Sequence, residues 1–309
     1  MTIIRSYIVG SGSYLPERCL TNAELAEQID TTDEWIQSRT GIRQRHIAAD
    51  GQPTSDLATR AARRAMDHAG VTADDIDLII VATATPDLTF PATAAQVQAN
   101  LGVSKGAAFD VQAVCTGFVY ALAVADNFVR LGQSQGALVI GAETFSRILD
   151  WEDRGTCVLF GDGAGAAILS REEDTSKGIL STHLHSQGEH AEELVLIAPG
   201  MGKRWVNDII AENDPNDESY FPYMNGQFVF KNAVVRFSEV IMEGLSQNNL
   251  DNESIDMLIP HQANLRIAQF IQRKFGLSDD QVYNNIMRYG NTTAASIPIA
   301  LTEAWEEGK

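Results

Sequence analysis

The apolar positions of this chain switch repeatedly between runs of strand length and a three-to-four residue spacing, and the switches mark out its elements. "DIDLIIVATAT" (75–85) predicts a buried strand, and an amphipathic helix around Leu57 to Ala69 precedes it. "GALVIGAET" (136–144) predicts a second buried strand, and "TCVLFGDGAGAAILS" (156–170) two more joined through a glycine turn. The opening "MTIIRSYIVGSGSYLP" predicts a first strand and turn rather than a signal peptide. Later, a helix around Val234 to Leu245 leads into an expected strand within "SIDMLIPHQAN" (254–264). Alternating helices and strands of this kind predict an α/β layered fold. "ADDIDLIIVA" and "NESIDMLIPH" echo each other, each after an amphipathic helix, which predicts two similar βα halves. The expected boundary gives halves of 1–174 and 175–309, at the linker-like stretch "REEDTSKG" (171–178). "NDIIAENDPNDESYFPYMNG" (207–226) reads as a long surface excursion of the kind that covers sites.

One junction carries chemistry. In "FDVQAVCTGFVYALAVA" (109–125), Ala107, Ala108, Phe109 and Val111 form a short strand broken by Asp110 and Gln112. From Thr116 onward Phe118, Leu122, Ala125 and Val129 recur at helical spacing, and Val119, Ala121, Ala123 and Val124 make the other faces apolar too. A helix hydrophobic nearly all round is buried. Cys115 therefore stands at a buried helix N-terminus, where unpaired N–H groups and the dipole are expected to lower a thiol pKa. On this stretch alone a small buried hydrophobe is the stronger reading, because free cysteine is among the most buried residue types.

Composition narrows the partners. The 309 residues are 44% hydrophobic and 21% charged, as in an ordinary soluble protein of about two domains. Cys19, Cys115 and Cys157 have neither disulfide-framework nor zinc-ligand spacing. No apolar run is long enough to span a bilayer, so a cytoplasmic protein with no membrane association is expected. A formal charge of −18 argues against nucleic acid and requires that any acidic partner meet a local basic patch. Gly161, Gly163 and Gly165 do not meet the dinucleotide GxGxxG spacing and read as a tight strand connection.

"IPHQANLRIAQ" sets His261 directly after the expected strand, and "RYGNTTAAS" sets Asn291 in a glycine-containing turn. Alone, each reads as a structural residue. In this order, "AVCTGF", "IPHQAN" and "YGNTTAAS" resemble the 3-oxoacyl-[acyl-carrier-protein] synthase III family of condensing enzymes. "TTDEWIQSRTGIRQRHIA", "FPATAAQVQANLG", "DRGT" and "GDGAGAA" resemble further segments of that family, so the likeness covers nearly the whole chain. It implies a thiolase-like fold, two similar α/β halves packed as a five-layered αβαβα sandwich. It also implies decarboxylative condensation of an acyl-CoA with malonyl-acyl carrier protein through an acyl-cysteine, in a homodimer and with no cofactor or metal.

The resemblance assigns Cys115 as nucleophile and His261 and Asn291 as hydrogen-bond donors to the enolate oxygen. It implies CoA contacts at Trp35, Arg39 and Arg154, and carrier contacts at Lys231, Gln262, Arg266, Arg273 and Lys274. Phe90 is implied to reach across the dimer interface to bound the acyl pocket. The periodicity adds that Arg266 and Arg273 share a helix face with Lys274 beside them, over a buried stripe of Ile267, Phe270 and Ile271. In the family the chain continues past the region of "ALTEAWEEGK" into a strand pair whose glycine-rich turn completes the oxyanion hole, and this sequence ends before it. A chalcone-synthase-like enzyme, a Cys-His-Asn hydrolase and a silent binding subunit are the alternative readings.

Overall fold

The computed structural model describes residues 4–172, 177–197 and 218–309. Its centre is a five-stranded mixed sheet built from β1 (Arg5–Tyr14), β4 (Leu78–Ala82), β5 (Ala107–Val111), β6 (Gly136–Glu143) and β7 (Gly163–Glu172). The strand order is β1-β7-β6-β4-β5, parallel where β4 meets β5 and β6, and antiparallel where β7 meets β6 and β1. A short ribbon of β2 (Arg18–Thr21) and β3 (Gln44–Ile47) stands apart from this sheet.

Alternation along β4 and β6 divides the core in two. Ile79, Val81, Leu138, Ile140 and Ala142 pack with Leu57, Ala58, Ala61, Ala62 and Ala65 of α3 (Thr54–Ala69) and with Val97 of α4 (Thr93–Leu101). Leu78, Ile80, Ala82, Ala137 and Val139 pack with Phe118, Ala121, Ala125 and Val129 of α5 (Gly117–Arg130). A strand covered by helices on both faces must be apolar throughout, which is why "LIIVA" is continuous rather than alternating. α1 (Asn22–Ala26) and α2 (Asp33–Thr40) lie between β2 and β3 in the chain.

The later part is more irregular than its sequence pattern. The strand expected in 254–264 is reduced to a single parallel bridge from Leu258 to Val282. Leu258 donates to the Gln281 carbonyl at 2.7 Å and accepts from the Tyr283 N–H at 2.9 Å. Pro260 follows with no N–H to extend the pairing. The first strand expected in 156–170 is likewise absent. Residues 156–159 form a turn, Phe160 makes one bridge to Asn291, and β7 is one unbroken ten-residue strand. Arg171 and Glu172 belong to that strand rather than to a linker, and the expected seam at 174/175 lies outside the described residues. Of the expected excursion 207–226, residues 207–217 also lie outside them. The described end includes β9 (Tyr223–Met224), antiparallel to β8 (Leu194–Val195). Four α-helices complete the described residues: α6 (Gly226–Gln247), α7 (Leu265–Phe275), α8 (Ile286–Tyr289) and α9 (Ser296–Glu306).

Candidate active site

Cys115 sits in a single 3₁₀ turn, Val114–Thr116, that joins β5 to α5. Val114 enters the turn at φ 43°, a left-handed conformation that a β-branched residue adopts only when its surroundings enforce it. The strand-to-helix junction read from the sequence is therefore present, with a strained turn at its corner. The expected lowering of the thiol pKa is not. Cys115 keeps an accessible edge, but protein crowds its sulfur, and burial first and the Glu143 charge second push the thiol up to about 12. Its own backbone N–H favours the anion too weakly to reverse this. A helix end acts locally on the thiol, whereas Glu143 reaches it from a different strand, β6.

Glu143, at the end of β6, had no place in the sequence reading. It is fully buried and accepts from Thr85 Oγ1 at 2.6 Å, from the Ala84 N–H at 3.0 and 3.1 Å and from Thr83 Oγ1 at 3.3 Å. Burial still outweighs these bonds and raises its carboxyl to about 7. An acid ending a buried apolar strand, as in "GALVIGAET", is the signal that marks it.

Against the Cys115 turn packs a second 3₁₀ turn, Thr293–Ala295. It also lies on β6, where a side chain at Gly141 would meet the Ala294 carbonyl at 2.2 Å. This turn connects the other two candidates. Asn291 is buried, and its Oδ1 accepts from the Thr293 N–H at 2.9 Å, so the amide presents its Nδ2 donor end. Ser296 Oγ lies 2.5 Å from His261 Nδ1 and accepts from the Gln262 N–H at 3.3 Å. Ser296 Oγ accepts from Gln262 and its own proton finds an acceptor only if Nδ1 is unprotonated, so we assign that proton to His261 Nδ1 and the ring proton to Nε2. That Nε2 is enclosed and has no hydrogen-bond partner among the described residues. Desolvation holds His261 down at about 4, so the ring is neutral at neutral pH. Ser296, the last residue of "YGNTTAAS", had no role assigned from sequence, and its hydroxyl is the contact on which this tautomer assignment rests.

The remaining candidates form separate groups. Trp35 and Arg39 are one turn apart on α2, and Arg154 comes from the turn before β7. The Arg39 and Arg154 guanidinium carbons stand 4.3 and 4.7 Å from the Trp35 ring centroid. Arg154 donates to the Asp30 carbonyl at 2.7 Å. Lys231 on α6 and Arg266, Arg273 and Lys274 on α7 are exposed, and Arg266 stands over the Phe230 ring. α6 and α7 pack together, so these cations share one region.

Two expectations fail here. Gln262 is 3% exposed, and its amide is consumed internally. Nε2 donates to the Pro260 and Tyr283 carbonyls, and Oε1 accepts from the Asn285 and Ile286 N–H groups. No group is left for a docked carrier. Phe270, expected in the buried stripe, is 40% exposed, while Ile267 and Ile271 are buried. Phe90 is 82% exposed, on the loop between β4 and α4 and followed by a cis peptide to Pro91.

Comparison with known proteins gives one answer. The family model for 3-oxoacyl-[acyl-carrier-protein (ACP)] synthase III matches residues 109–188, and that for its C-terminal part matches 245–309. A beta-ketoacyl-[acyl-carrier-protein] synthase III of Paramagnetospirillum magneticum is 55% identical, over 99% of this chain and 92% of the relative. One from Bradyrhizobium diazoefficiens is 52% identical, over 100% and 92%. Among solved structures, 3-oxoacyl-[acyl-carrier-protein] synthase III of Aquifex aeolicus superposes with a TM-score of 0.89 at 43% identity, covering 98% of this chain and 91% of that one. The priming beta-ketosynthase of a polyketide pathway gives 0.87 at 33% identity, covering 96% and 86%. The fold is the thiolase-like α/β fold of these enzymes. Identity above one half along essentially the full length, with the matched segments carrying Cys115, His261 and Asn291, means that this chain belongs to the 3-oxoacyl-[acyl-carrier-protein] synthase III family.

Proposed function

We infer that this protein is the initiating condensing enzyme of fatty acid synthesis, an acyltransferase that joins an acyl-CoA to malonyl-acyl carrier protein. Acetyl-CoA is the proposed primer. Cys115 attacks the thioester, its sulfur replaces that of CoA on the acyl carbon, and its proton leaves on the CoA thiol. Malonyl-carrier protein then loses carbon dioxide, and the electron pair left behind forms an enolate whose negative charge rests on the thioester oxygen. His261 Nε2–H and Asn291 Nδ2–H donate to that oxygen, an arrangement in which each preorganised donor is typically worth about 3 kcal/mol. The enolate carbon attacks the acyl-cysteine carbonyl, the Cys115 N–H serves that oxyanion, and collapse frees Cys115 and 3-oxoacyl-carrier protein. These steps need no redox or metal chemistry.

The observation that carries this reading is the Thr293–Ala295 turn, which borders the Cys115 turn on one side and fixes Asn291 and, through Ser296, His261 at its two ends. We place CoA against Trp35, Arg39 and Arg154, and the carrier against Lys231, Arg266, Arg273 and Lys274. β5 is an edge strand with Phe90 exposed nearby, which supports a homodimer formed along that edge. No described helix is long and apolar enough to cross a membrane, and we propose a cytoplasmic enzyme. Mass spectrometry after incubation with acetyl-CoA tests the core of this: an acetyl group on Cys115 that malonyl-carrier protein discharges into 3-oxoacyl-carrier protein is expected. Release of free acetate alone would make the protein a hydrolase, and no adduct would make it a silent subunit.

A further inference from the structure

Arg45 is the largest fully buried side chain of the molecule's described residues, and no carboxylate answers its charge. Its guanidinium donates to two carbonyls, Leu20 at 3.2 Å and Val158 at 2.8 Å, while Nε has no partner among the described residues. Burial lowers its pKa to about 10. A cation kept in the interior on such terms costs stability, so its placement calls for a compensating role.

The surroundings of its stem supply one. Arg45 lies on β3, beneath the crossing of two chain segments, 158–162 and 287–291. At that crossing the Asn291 N–H donates to the Leu159 carbonyl at 2.8 Å and the Gly161 N–H donates to the Asn291 carbonyl at 3.1 Å. Arg45 Cβ is packed so closely that a methyl group on Gly161 would lie 2.9 Å from it and one on Gly290 3.4 Å. Its neighbours along the chain, His46 on β3 and Arg43 just before it, bind the same segments. The His46 carbonyl accepts from the Asp162 N–H at 2.8 Å, and the Arg43 N–H donates to the Met287 carbonyl at 3.1 Å. Arg45 thus grips Val158 at its tip and supports both sides of the Asn291 pairing at its base.

We propose that Arg45 is a positioning residue for Asn291, clamping the 158–162 segment under the Gly290–Asn291 turn and so fixing where the Asn291 amide points. The proposal rests on the enolate-donor role given to Asn291 above. Cys115 and its turn lie outside this clamp, so the two half-reactions separate the effects.

The test is a cycle of Arg45→Met, Arg45→Lys and Asn291→Ala, measuring Cys115 acetylation by acetyl-CoA and carbon dioxide release from malonyl-carrier protein. Arg45→Met is expected to slow decarboxylation about tenfold or more while acetylation stays within about twofold, as a misplaced donor would. Arg45→Lys, which restores one cationic donor, recovers part of the loss. In the Asn291→Ala background either substitution adds nothing further, because a residue acting only through Asn291 has nothing left to position. Thermal melting need not fall with Arg45→Met, since a buried charge is removed. Equal losses in both half-reactions, or losses that add to that of Asn291→Ala, would overturn the proposal. If Arg45→Met does not fold, the Arg45→Lys cycle must show the same split or the proposal fails. Should Asn291→Ala alone leave decarboxylation intact, the fault lies with the role assigned to Asn291 and Arg45 has no target.

Discussion

A thiol held near 12 and an imidazole held near 4 are both neutral across the physiological range, so the resting pair carries no net charge. For Cys115 the cause is mainly burial, and the anion forms only as pH rises. Alkylation of Cys115 by iodoacetamide, followed by mass spectrometry, is therefore expected to accelerate continuously from pH 7 to 10; a plateau near pH 7 would mean a stabilised thiolate. For His261 the sign is opposite. Its folded pKa lies below the unfolded value of about 6.5, so the folded state favours the neutral ring. Its contribution to stability is present above about pH 6.5 and is lost as pH falls through 4. With Nε2–H as the donor, decarboxylation by a Cys115→Ala variant should stay level from pH 8 to about 5, because the ring neither gains nor loses a proton there. Glu143, raised by burial to about 7, titrates in the same window, so the profile is taken in a Glu143→Gln background as well; a decline centred near pH 6.5 that persists there would show an unperturbed histidine.

Elements carry the site by close approach. β6 has glycine at 141 because the Thr293–Ala295 turn lies directly on it. Gly141→Ala would force that turn outward, and overpacking of this kind costs about 1–3 kcal/mol. A lower melting temperature is expected together with slower acetylation and slower decarboxylation, since the turn borders both; unchanged half-reactions would show that the turn can shift without consequence. The elements themselves were unevenly legible. β4, β6, α3 and α5 read directly from apolar runs and helical spacing, because burial on one or both faces leaves a periodic mark. The 156–160 and 254–264 runs also carry apolar stretches, yet their backbone groups are spent singly, on Arg45, Asn291, Gln281 and Tyr283, rather than in ladders. Periodicity reports burial and cannot report what a carbonyl is paired with. For the same reason the junction at Cys115 was visible in sequence while the rise in its pKa was not: Glu143 joins the site only through the fold. Gln262 shows the limit from the other side, since a polar residue in a motif gives no sign of whether its amide faces solvent or four backbone groups.

At the scale of the whole molecule, a formal charge of −18 surrounds a small cationic region on α6 and α7. A carrier protein that is itself acidic would be repelled by most of this surface, so local cations can direct it to one approach. Arg266→Glu with Lys274→Glu is expected to raise the Michaelis constant for malonyl-carrier protein several-fold while Cys115 acetylation changes little, and added salt should weaken the wild-type interaction. Equal losses with both substrates would point to damage to the fold, and no loss with the carrier would place docking elsewhere.

The Trp35 ring already has company. Arg154 stands 4.7 Å above it while tethered to the Asp30 carbonyl. A flat aromatic guest needs about 3.5 Å of clearance on each side, more than this gap provides. If CoA binds here as proposed, its entry would be an exchange of partners: Arg154 would have to leave the ring, and its carbonyl where the tether is too short, before closing over the newcomer. The affinity gained would then be the difference between two stacking arrangements rather than the whole of one, and the entry rate would depend on how often Arg154 releases the Asp30 carbonyl.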